Sequence, residues 1–475
     1  MTNAGNAAPA DAPHSFAPSL LREYDIRGIV GQTFSVADAE VLGRAFGSLA
    51  RRRGGKSVAV GRDGRHSSPA LAQAFIAGLL DSGIDAVDIG RGPTPMLYFA
   101  AHTLDVDGAV MVTGSHNPPE YNGLKLMLGK ASFFGDDIQS LGRVAAAADY
   151  LRGSGAARTV SVFEAYVDRV LSAITATRSM KVAWDAGNGA MGDVMAAVAA
   201  RLPGEHILLN ETIDGDFPNH HPDPTVPENL KQLQQTVLAE GCDLGIAFDG
   251  DGDRVGFVDS KARILWGDQI LLLLARDVLR RHPGAPIVGD VKCSQALFDG
   301  IAAAGGQPVM WKTGHSLIKT RMKELGAPLA GEMSAHLFIA DGYYGYDDAI
   351  YAALRVLSVL QTSGEDLAGF RDSLPRLFNT PEIRVPCPEE RKAPVIEEVK
   401  ARQVARGADM TTIDGLRVQE GGGWWLLRAS NTQDILVLRC EAASPDQLQA
   451  LLDRARGELA ASGLTLGEVP PESFA

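Results

Sequence analysis

Long apolar runs, an excess of positive charge and closely spaced cysteines are all missing from this 475-residue sequence. No apolar stretch approaches the roughly 20 residues that a membrane-spanning helix requires, so a membrane protein is not predicted. The formal net charge is −13, whereas proteins that bind nucleic acid or anionic membranes through general electrostatics are usually basic. Neither nucleic acid nor a membrane is therefore expected as a partner.

The cysteines are few and scattered along the chain. Cys242, Cys293, Cys387 and Cys440 form no CxxC pair. Disulfide frameworks and structural zinc sites are built from cysteines at characteristic short spacings. Neither is predicted, and we expect four reduced thiols.

The N-terminal segment 1–19 lacks the basic stretch and the continuous apolar stretch that together mark a signal peptide. It consists mostly of Ala, Pro and small polar residues. We expect a disordered leader there and a cytoplasmic protein.

Alternating strand-like and helix-like segments fill most of the chain. At about 150 residues per domain, the length indicates about three domains, and four are also compatible with it. Several strand-like runs are continuously apolar, as in strands covered on both faces, and this predicts α/β domains with largely parallel sheets. The predicted strands are 57–60, 108–112, 181–184, 243–248, 287–291 and 308–311, and the predicted helices are 69–81, 268–281, 294–304 and 316–325.

The last hundred residues have a different pattern. Three strand-like runs precede a single predicted helix, and Pro381, Pro386 and Pro388 ahead of them indicate a linker. This order predicts a separate α+β domain. The runs are 416–419, 424–428 and 435–440, and the helix is 446–459.

A serine in a Gly- and Pro-containing loop follows one of the buried strands. Pro118 and Pro119 prevent an immediate helix, so Ser115 in Thr113–Pro118 should lie on an exposed turn. A hydroxyl there could act as a nucleophile or phosphate carrier if a base or a metal activates it. An isolated serine in such a turn more often bonds its own backbone, so this loop alone does not decide the matter.

The loop Asp249-Gly-Asp-Gly-Asp-Arg254 carries three carboxylates within five residues after another strand. Oxygen ligands at this density suit Mg²⁺ or Ca²⁺. An EF-hand is excluded because Arg254 and Ser260 stand where that loop requires Gly and Glu. Three carboxylates leave an octahedral Mg²⁺ incomplete, and a phosphate on Ser115 would supply a further oxygen, with Arg254 holding the same phosphoryl group.

Two further polar loops suit a phosphorylated sugar. Glu332, Ser334 and His336 alternate, so in an extended segment they face one side, where a carboxylate and a hydroxyl fit a sugar diol. Arg428-Ala-Ser-Asn-Thr brings an arginine, two hydroxyls and an amide together for one phosphate. Read alone, either loop is also compatible with an ordinary polar turn. Further cationic or titratable groups lie in Gly-rich turns: Arg27, Arg62, Lys125, Lys292 and His315.

Taken in order from Tyr24 to Thr432, these motifs resemble the α-D-phosphohexomutase family, most closely its bacterial phosphomannomutase/phosphoglucomutase group. The resemblance implies three related α/β domains and a smaller, mobile α+β domain around one central cleft. It implies that phosphorylated Ser115 donates its phosphoryl group to a hexose 1- or 6-phosphate. The resulting 1,6-bisphosphate reorients within the cleft and returns its other phosphate to Ser115. The implied domains are 1–161, 162–263, 264–375 and 376–475.

The resemblance also implies a role for each motif. Mg²⁺ is held by Ser115, Asp249, Asp251 and Asp253, and glucose 1,6-bisphosphate serves as activator. Lys125 and His336 are the candidate general bases, and the cations Arg27 and Arg254 complete the catalytic set. The implied substrate-binding residues are Tyr24, Lys292, His315, Glu332, Ser334, Arg428, Ser430, Asn431 and Thr432.

The resemblance is less specific about which hexose phosphate is the substrate. A site anchored on O3, O4 and a phosphate tolerates both glucose and mannose phosphates, which differ only at C2. The first alternative is a phosphoglucosamine mutase, against which Met333 argues because such enzymes more often carry Gln there. A Mg²⁺-dependent phosphohydrolase and a non-catalytic sugar-phosphate-binding protein are weaker alternatives. Ala335, where relatives commonly have Gly, and Gln433-Asp434 depart from the family pattern. The protein is expected to be a monomer or a dimer.

Overall fold

The computed structural model describes residues 12–175, 178–430, 433–467 and 469. Within these residues the chain forms four sheets. The first three are mixed and largely parallel with helices between their strands, which confirms the predicted α/β class, and the fourth is antiparallel. No helix in these ranges combines the length and apolar character needed to cross a membrane.

Domain 1 contains a seven-stranded sheet in the order β1-β5-β4-β2-β3-β7, with β6 paired to β5. Strands β2, β3, β4 and β7 run parallel, and β5 is antiparallel to β4. The strands are β1 (Ile26–Ile29), β2 (Ser57–Arg62), β3 (Asp85–Arg91), β4 (Gly108–Val112), β5 (Tyr121–Leu128), β6 (Ala131–Ser132) and β7 (Ala157–Thr159). The helices are α1 (Val36–Arg52), α2 (Ser68–Asp81), α3 (Thr94–Thr103) and α4 (Asp136–Ala146).

Domain 2 repeats this plan with five strands in the order β12-β11-β10-β8-β9. Its strands are β8 (Met180–Asp185), β9 (Gly204–Leu209), β10 (Leu244–Phe248), β11 (Val255–Asp259) and β12 (Ile264–Leu265). Its helices are α5 (Phe163–Leu171), α6 (Gly192–Ala199) and α7 (Lys231–Glu240), with a 3₁₀ turn at Pro227–Leu230.

Domain 3 has four strands in the order β14-β13-β15-β16. The strands are β13 (Pro286–Asp290), β14 (Gln307–Trp311), β15 (Leu329–Gly331) and β16 (Leu337–Ile339). The helices are α8 (Gly267–Arg281), α9 (Gln295–Ala303), α10 (His315–Leu325), α11 (Ala349–Ser363) and α12 (Leu367–Asp372).

One feature recurs in the three α/β domains and positions the site. In each sheet, a strand of the parallel core is followed by a loop and then by a strand that returns antiparallel to it. These pairs are β4–β5, β10–β11 and β15–β16. The intervening loops carry Ser115, the three aspartates and the Glu332–His336 segment, so all three lie at the carboxyl ends of core strands, where open α/β sheets bind ligands.

Domain 4 is built on an antiparallel sheet in the order β17-β22-β21-β20-β19, with β18 also paired to β22. The prolines predicted to form a linker instead flank and end β18, and a second helix, α13, follows them. Pro394 lies inside that helix, and prolines usually interrupt helices, so the sequence pattern concealed it. The strands are β17 (Phe378–Asn379), β18 (Ile383–Pro386), β19 (Asp409–Thr411), β20 (Leu416–Glu420), β21 (Gly423–Ala429) and β22 (Ile435–Ala442), and the helices are α13 (Glu389–Ala405) and α14 (Pro445–Ala461).

The buried apolar residues show why the first three domains hold together. One continuous core includes side chains from all three α/β domains, from Ala59 to Phe370. Domain 4 has its own core, formed by the sheet and both helices. A small cluster of Val291, Trp424 and Leu426 joins it to domain 3. Domain 4 is therefore attached through a much smaller apolar contact than the other three share.

Part of the predicted leader packs on domain 1. His14 donates its backbone N–H to the carbonyl of Ala145 and pairs with Asp38 at 2.7 Å, and Phe16 packs on the apolar core. Disorder is therefore not found for residues 12–19. Residues 1–11 lie outside the described part of the chain.

A buried carboxylate joins domains 2 and 3. Asp348 caps helix α11 and accepts hydrogen bonds from the hydroxyls of Tyr166 (3.0 Å) and Tyr343 (2.7 Å). Burial raises the pKa of Asp348 to about 6, although these hydrogen bonds oppose the shift. The folded protein therefore holds the carboxyl proton of Asp348 more tightly than the unfolded chain does. The resulting contribution to the free energy of unfolding is present below about pH 4 and is lost as the pH rises through 6.

The variant Asp348→Asn should therefore gain stability relative to wild type as the pH rises. Two pKa units correspond to a difference on the order of 3 kcal/mol between pH 4 and pH 7. Asparagine retains a helix-capping oxygen, so the cap should survive. Thermal melts of both proteins between pH 4.5 and 7.5 measure the effect, and parallel melting curves across that range would contradict it.

Candidate active site

Loops from all four domains meet at one place. The hydroxyl of Ser115 in domain 1 donates to Oδ2 of Asp249 in domain 2 at 3.2 Å. Nε of Arg254 in domain 2 donates to Nε2 of His336 in domain 3 at 3.0 Å. Domain 4 reaches domain 3 through Asp414, whose Oδ2 accepts from the backbone N–H of Thr313 at 3.1 Å. The sequence motifs are thus brought together by the fold.

Ser115 lies on a tight turn, as predicted, but the predicted exposure is wrong: the residue is 4% exposed because the loop of Asp249 packs against it. Its φ of +49° is in the left-handed region, which costs a residue with a β-carbon about 1 kcal/mol and recurs at functional sites. Its backbone N–H donates to Oγ1 of Thr113 at 2.9 Å. Oγ lies 3.1 Å from Nδ1 of His116, whose pKa is well below its usual range because it is buried and close to Arg254 and Arg27. The hydroxyl therefore faces a neutral imidazole and a carboxylate.

Arg65 supports this loop, whereas Arg62, the arginine predicted from the same motif, is half-buried and lies 3.6 Å from Asp88. The Arg65 guanidinium is almost fully buried and donates to four loop carbonyls. Those of Ser115 and Asn117 accept at 2.7 and 2.5 Å, and those of Pro118 and Tyr121 accept at 2.6 and 3.1 Å. Sequence spacing could not show which of the two arginines points inward.

The three aspartates after β10 form a buried group of oxygen ligands. Asp249, Asp251 and Asp253 have no exposed surface, and one carboxylate oxygen from each lies within 4.8 Å of the others. The loop approaches Ser115 so closely that a β-carbon on Gly250 would lie 2.4 Å from the Ser115 carbonyl oxygen. Glycine is therefore required there for the two loops to meet.

The electrostatics of this group favour a cation. Burial, together with Asp253 and Asp251, raises the pKa of Asp249 well above its usual value. Oδ1 of Asp251 and Oδ1 of Asp253 are buried and accept no hydrogen bond. Unpaired buried carboxylate oxygens are costly, so the donor set fits a hard divalent metal ion.

Two neighbouring groups already compensate part of this charge. Lys125 donates to Oδ2 of Asp251 at 2.7 Å and also to Asp253. Burial alone would lower the pKa of Lys125, but the two carboxylates raise it well above its ordinary value. Thr94, which sequence reasoning missed, donates its hydroxyl to Asp251 at 2.5 Å and its backbone N–H to the carbonyl of the same residue.

His336 lies on the other side of the metal loop. Its Nδ1 is 3.1 Å from Oδ2 of Asp347 and 3.6 Å from Oδ1 of Asp253. Burial would raise the pKa of Asp347, but Lys319 and the neighbouring His336 hold it well below its usual range. The sequence pattern gave no signal for Asp347, because its role depends on packing between distant segments.

The predicted sugar-binding pair is present and constrained. Oε1 of Glu332 accepts from the backbone N–H of Gly314 at 2.5 Å, and Oε2 accepts from the Ser334 hydroxyl at 3.3 Å. Burial raises the pKa of Glu332. Ala335 has a φ of +72°, which explains why glycine suits this position and why alanine adds strain of about 1 kcal/mol.

The predicted phosphate-binding motif of domain 4 lies only partly within the described residues. Arg428 is 6% exposed and donates Nε to Oδ2 of Asp414 at 2.9 Å, while Ser430 accepts from the backbone N–H of Gln433 at 3.2 Å. Lys392 of α13 donates to the carbonyls of Ser430 and Gln433 at 2.6 and 3.1 Å. The sequence gives no signal for this support, because Pro394 conceals the helix that carries Lys392. Asn431 and Thr432 lie outside the described residues.

The remaining predicted residues surround these loops. Arg27 donates to the carbonyl of Gly114 and to Asp25. Tyr24 donates to the carbonyl of Thr313 at 3.1 Å and forms an edge contact with His315. The pKa of His315 is well below its usual range because of burial and Lys319.

Lys292 completes the set at the end of β13. Its ammonium group donates to Glu382 of domain 4 at 2.6 Å. Burial would lower its pKa, but Glu382 and Asp290 raise it. The lysine of domain 3 that was predicted to bind substrate is therefore paired with a carboxylate of domain 4 in this structure.

Known proteins are similar to this chain along most of its length. Family models for phosphoglucomutase/phosphomannomutase match alpha/beta/alpha domain I at residues 18–150, domain II at 164–262, domain III at 266–378 and the C-terminal domain at 382–458. A phosphomannomutase/phosphoglucomutase of Pseudomonas aeruginosa is 44% identical over 452 residues, covering 95% of this chain and 97% of that protein. A phosphoglucomutase of Neisseria gonorrhoeae is 41% identical, covering 93% of this chain and 96% of that protein.

A solved structure agrees with these matches. A phosphoglucomutase/phosphomannomutase family protein from Burkholderia thailandensis superposes with a TM-score of 0.90 at 43% sequence identity. The alignment covers 95% of this chain and 99% of that one.

Proposed function

The chain belongs to the phosphoglucomutase/phosphomannomutase family and is a hexose-phosphate mutase, and we propose that it moves a phosphoryl group between O1 and O6 of glucose and mannose phosphates through a phosphoserine at Ser115. The observation that carries this assignment is the 3.2 Å contact between the Ser115 hydroxyl and Asp249 of the buried aspartate group. The contact supports the proposal because it would bring the nucleophile beside a metal-binding carboxylate at the junction of the four domains.

The family is metal dependent, and the buried acidic cluster fits a metal ion. We assign Mg²⁺ to Asp249, Asp251 and Asp253, with an oxygen of Ser115 or its phosphate as a further ligand. When bound, the ion would act as a Lewis acid and neutralise charge on the transferring phosphoryl group. Arg254, beside the same loop, is positioned to share that charge.

Two groups hold the substrate on either side of the reacting centre. Glu332 and Ser334 bind the sugar O3 and O4, while Arg428 and Ser430, with Asn431 and Thr432, bind the phosphate that does not react. Lys292 follows β13, His315 begins α10, and Tyr24 precedes β1 and contacts the carbonyl of Thr313; we assign all three to substrate binding. Gripping the remote phosphate fixes the sugar for in-line attack, from which much of the catalysis of phosphoryl transfer derives.

The transfer requires a base near the sugar hydroxyl. The bond between phosphorus and Oγ of Ser115 breaks as a bond from phosphorus to the sugar oxygen forms, and the proton of the sugar hydroxyl passes to the base. Oγ keeps the electron pair of the broken bond and takes up a proton, which restores the Ser115 hydroxyl. Lys125 and His336 are our candidates, with Arg27 as the adjacent cation. At present Lys125 donates to two aspartates as an ammonium group, so it must lose a proton before it can act as the base. Nε2 of His336 accepts from Arg254, so this histidine must give up that hydrogen bond before it takes a proton.

Glucose 1,6-bisphosphate fits the scheme as activator, because it can phosphorylate a Ser115 that has lost its phosphate. Both epimers are accepted because the proposed anchors hold O3, O4 and a phosphate and leave C2 without a partner. Met333, whose sulfur contacts Arg439, adds no amide group that would favour an amino sugar.

The proposal is tested by following glucose 1-phosphate and mannose 1-phosphate by ³¹P NMR, with Mg²⁺ and catalytic glucose 1,6-bisphosphate. Conversion of both to their 6-phosphates supports the proposal. Release of free phosphate would indicate a hydrolase, and turnover confined to glucosamine phosphates would indicate a phosphoglucosamine mutase. Binding without turnover of any of these sugars would contradict an enzymatic role.

A further inference from the structure

Each α/β domain carries one buried aspartate at the carboxyl end of its central parallel strand. These are Asp63 directly after β2, Asp185 at the end of β8 and Asp290 at the end of β13. They are 3%, 1% and 0% exposed. Each strand lies between two parallel neighbours, so the carboxylate is placed where the loops of adjacent strands meet.

Asp290 joins three loops of domain 3. Oδ1 accepts from the backbone N–H of Met333 in the sugar loop at 3.2 Å and from the thiol of Cys293 at 2.9 Å. Oδ2 accepts from the hydroxyl of Thr313 at 2.9 Å and lies 3.9 Å from Nζ of Lys292. The loops that carry Lys292, His315 and Glu332 are thus all tied to one side chain.

Asp63 does the same for the loop of Ser115. Oδ2 accepts from the backbone N–H of Gly114 at 3.0 Å and lies 3.3 Å from Nε of Arg65. Oδ1 accepts from the hydroxyl of Ser68 at 2.5 Å and from the backbone N–H of Arg65 at 3.0 Å. Through Arg65, which donates to four carbonyls of the loop, the carboxylate fixes both ends of the Ser115 turn.

Asp185 completes the pattern in domain 2. It accepts from the backbone N–H of Gly187 and the amide of Asn210, both at 2.9 Å, and pairs with His220 at 2.9 Å. The segment after His220 leads to Pro222, whose carbonyl accepts from the N–H of Gly250 in the metal loop at 3.1 Å. In domain 2 the equivalent carboxylate therefore supports the metal loop indirectly, through the segment from His220 to Pro222.

A carboxylate suits this position for a physical reason. Ionised, it only accepts hydrogen bonds and offers about four lone-pair directions, so it can bind donors from several loops at once. Buried, its charge is stabilised only while those donors are present, so movement of any one loop leaves the carboxylate less well solvated. An asparagine amide has the same size, but its NH₂ group would face N–H and O–H donors of the loops and could not accept their hydrogen bonds.

We propose that Asp63 and Asp290 are positioning residues for the two halves of the reaction: Asp63 sets the geometry of phosphoryl transfer at Ser115, and Asp290 sets the geometry of sugar-phosphate binding. This inference rests on the site assigned under the proposed function. The inference predicts that one Asp→Asn substitution changes mainly kcat and the other mainly Kd. Damage to folding would not produce this contrast.

The test compares Asp63→Asn and Asp290→Asn with Asp105→Asn and Asp299→Asn, which change exposed aspartates of the same two domains. Titration calorimetry measures the Kd of xylose 1-phosphate, which lacks the C6 hydroxyl that would accept a phosphoryl group, and steady-state kinetics measure kcat. Asp290→Asn should raise Kd about tenfold and lower kcat less than Kd rises. Asp63→Asn should leave Kd within about twofold and lower kcat tenfold or more.

The binding stoichiometry separates positioning from loss of structure, because an unfolded fraction lowers the number of sites without changing Kd. Should either variant not fold, Thr313→Val removes one donor to Asp290 and Arg65→Lys shortens the reach to the Ser115 loop. Each should show a smaller effect of the same kind. Equal effects of Asp63→Asn and Asp290→Asn on Kd and kcat, or an unchanged Kd in Asp290→Asn, would overturn the inference. Normal kinetics in Ser115→Ala and Glu332→Ala would instead overturn the site assignment itself.

Discussion

Replacement of Ser115 by alanine is expected to lower mutase turnover by on the order of a thousandfold or more, as removal of a covalent nucleophile does in other enzymes. The hydroxyl is the only group in the proposed scheme that carries the phosphoryl group between the two sugar oxygens. His116 and Asp249 lie within hydrogen-bonding distance of it but cannot replace it in the same geometry. The coupled assay for glucose 6-phosphate formation measures the loss.

The control is Ser154→Ala, which removes an exposed serine hydroxyl from the same domain and should leave turnover unchanged. Labelling supplies a second readout. Wild type incubated with glucose 1,6-bisphosphate labelled with ³²P should retain label on Ser115, whereas Ser115→Ala should retain none. Full turnover in Ser115→Ala, or equal labelling of both proteins, would exclude the phosphoserine.

Binding should survive this substitution. Glu332, Ser334 and Arg428 belong to domains 3 and 4, and alanine at position 115 changes none of their contacts. The Kd of a hexose 6-phosphate is therefore expected to stay close to the wild-type value. Loss of binding together with turnover would mean that the Ser115 turn organises the whole site.

The strands and helices of the α/β domains could be predicted because each follows from a local pattern. The run 108–112 is apolar throughout because β4 is buried on both faces, and the structure gives the same bounds. Helix 69–81 begins one residue earlier, at Ser68, with a proline in its first turn. Such elements depend on periodicity and on where prolines are tolerated, and both can be read from a single chain.

The contacts that hold the loops could not be predicted in the same way. Arg62 and Arg65 belong to one short motif, yet only packing against the Ser115 loop shows that Arg65 is the one that binds its carbonyls. Asp290 and Asp347 each look like an ordinary acid at the end of a strand or in a polar loop. Their roles depend on distant partners such as Met333, 43 positions from Asp290, and Lys319, 28 positions from Asp347, which no local pattern encodes.

The second large effect is expected on removal of the metal. Enzyme treated with EDTA and then freed of the chelate should lose more than about 99% of its turnover and regain it when Mg²⁺ is added. Asp249, Asp251 and Asp253 are all fully buried, and Lys125 and Thr94 compensate only part of their charge. Undiminished turnover after EDTA treatment would refute the metal role.

The variant Asp251→Asn tests the proposed metal ligands separately from the other residues of the site. It should raise the Mg²⁺ concentration for half-maximal activity about tenfold or more, because a ligand of the hard cation becomes neutral. Asp193→Asn, which changes an exposed aspartate of the same domain, serves as the matched control and should leave that concentration unchanged. Equal Mg²⁺ requirements in Asp251→Asn and wild type would remove Asp251 from the ligand set.

The dependence of Mg²⁺ affinity on pH tests the same site independently of turnover. Burial, with Asp253 and Asp251, raises the pKa of Asp249 well above its usual value, so protons compete with the metal ion for this carboxylate at higher pH than they do at an ordinary aspartate. Mg²⁺ should therefore bind more tightly as the pH rises, and binding should release protons that calorimetry detects as a heat dependent on the buffer. Because a surface site with ordinary carboxylates would show neither effect above about pH 5, both effects above that pH would support binding of the ion among these three buried aspartates.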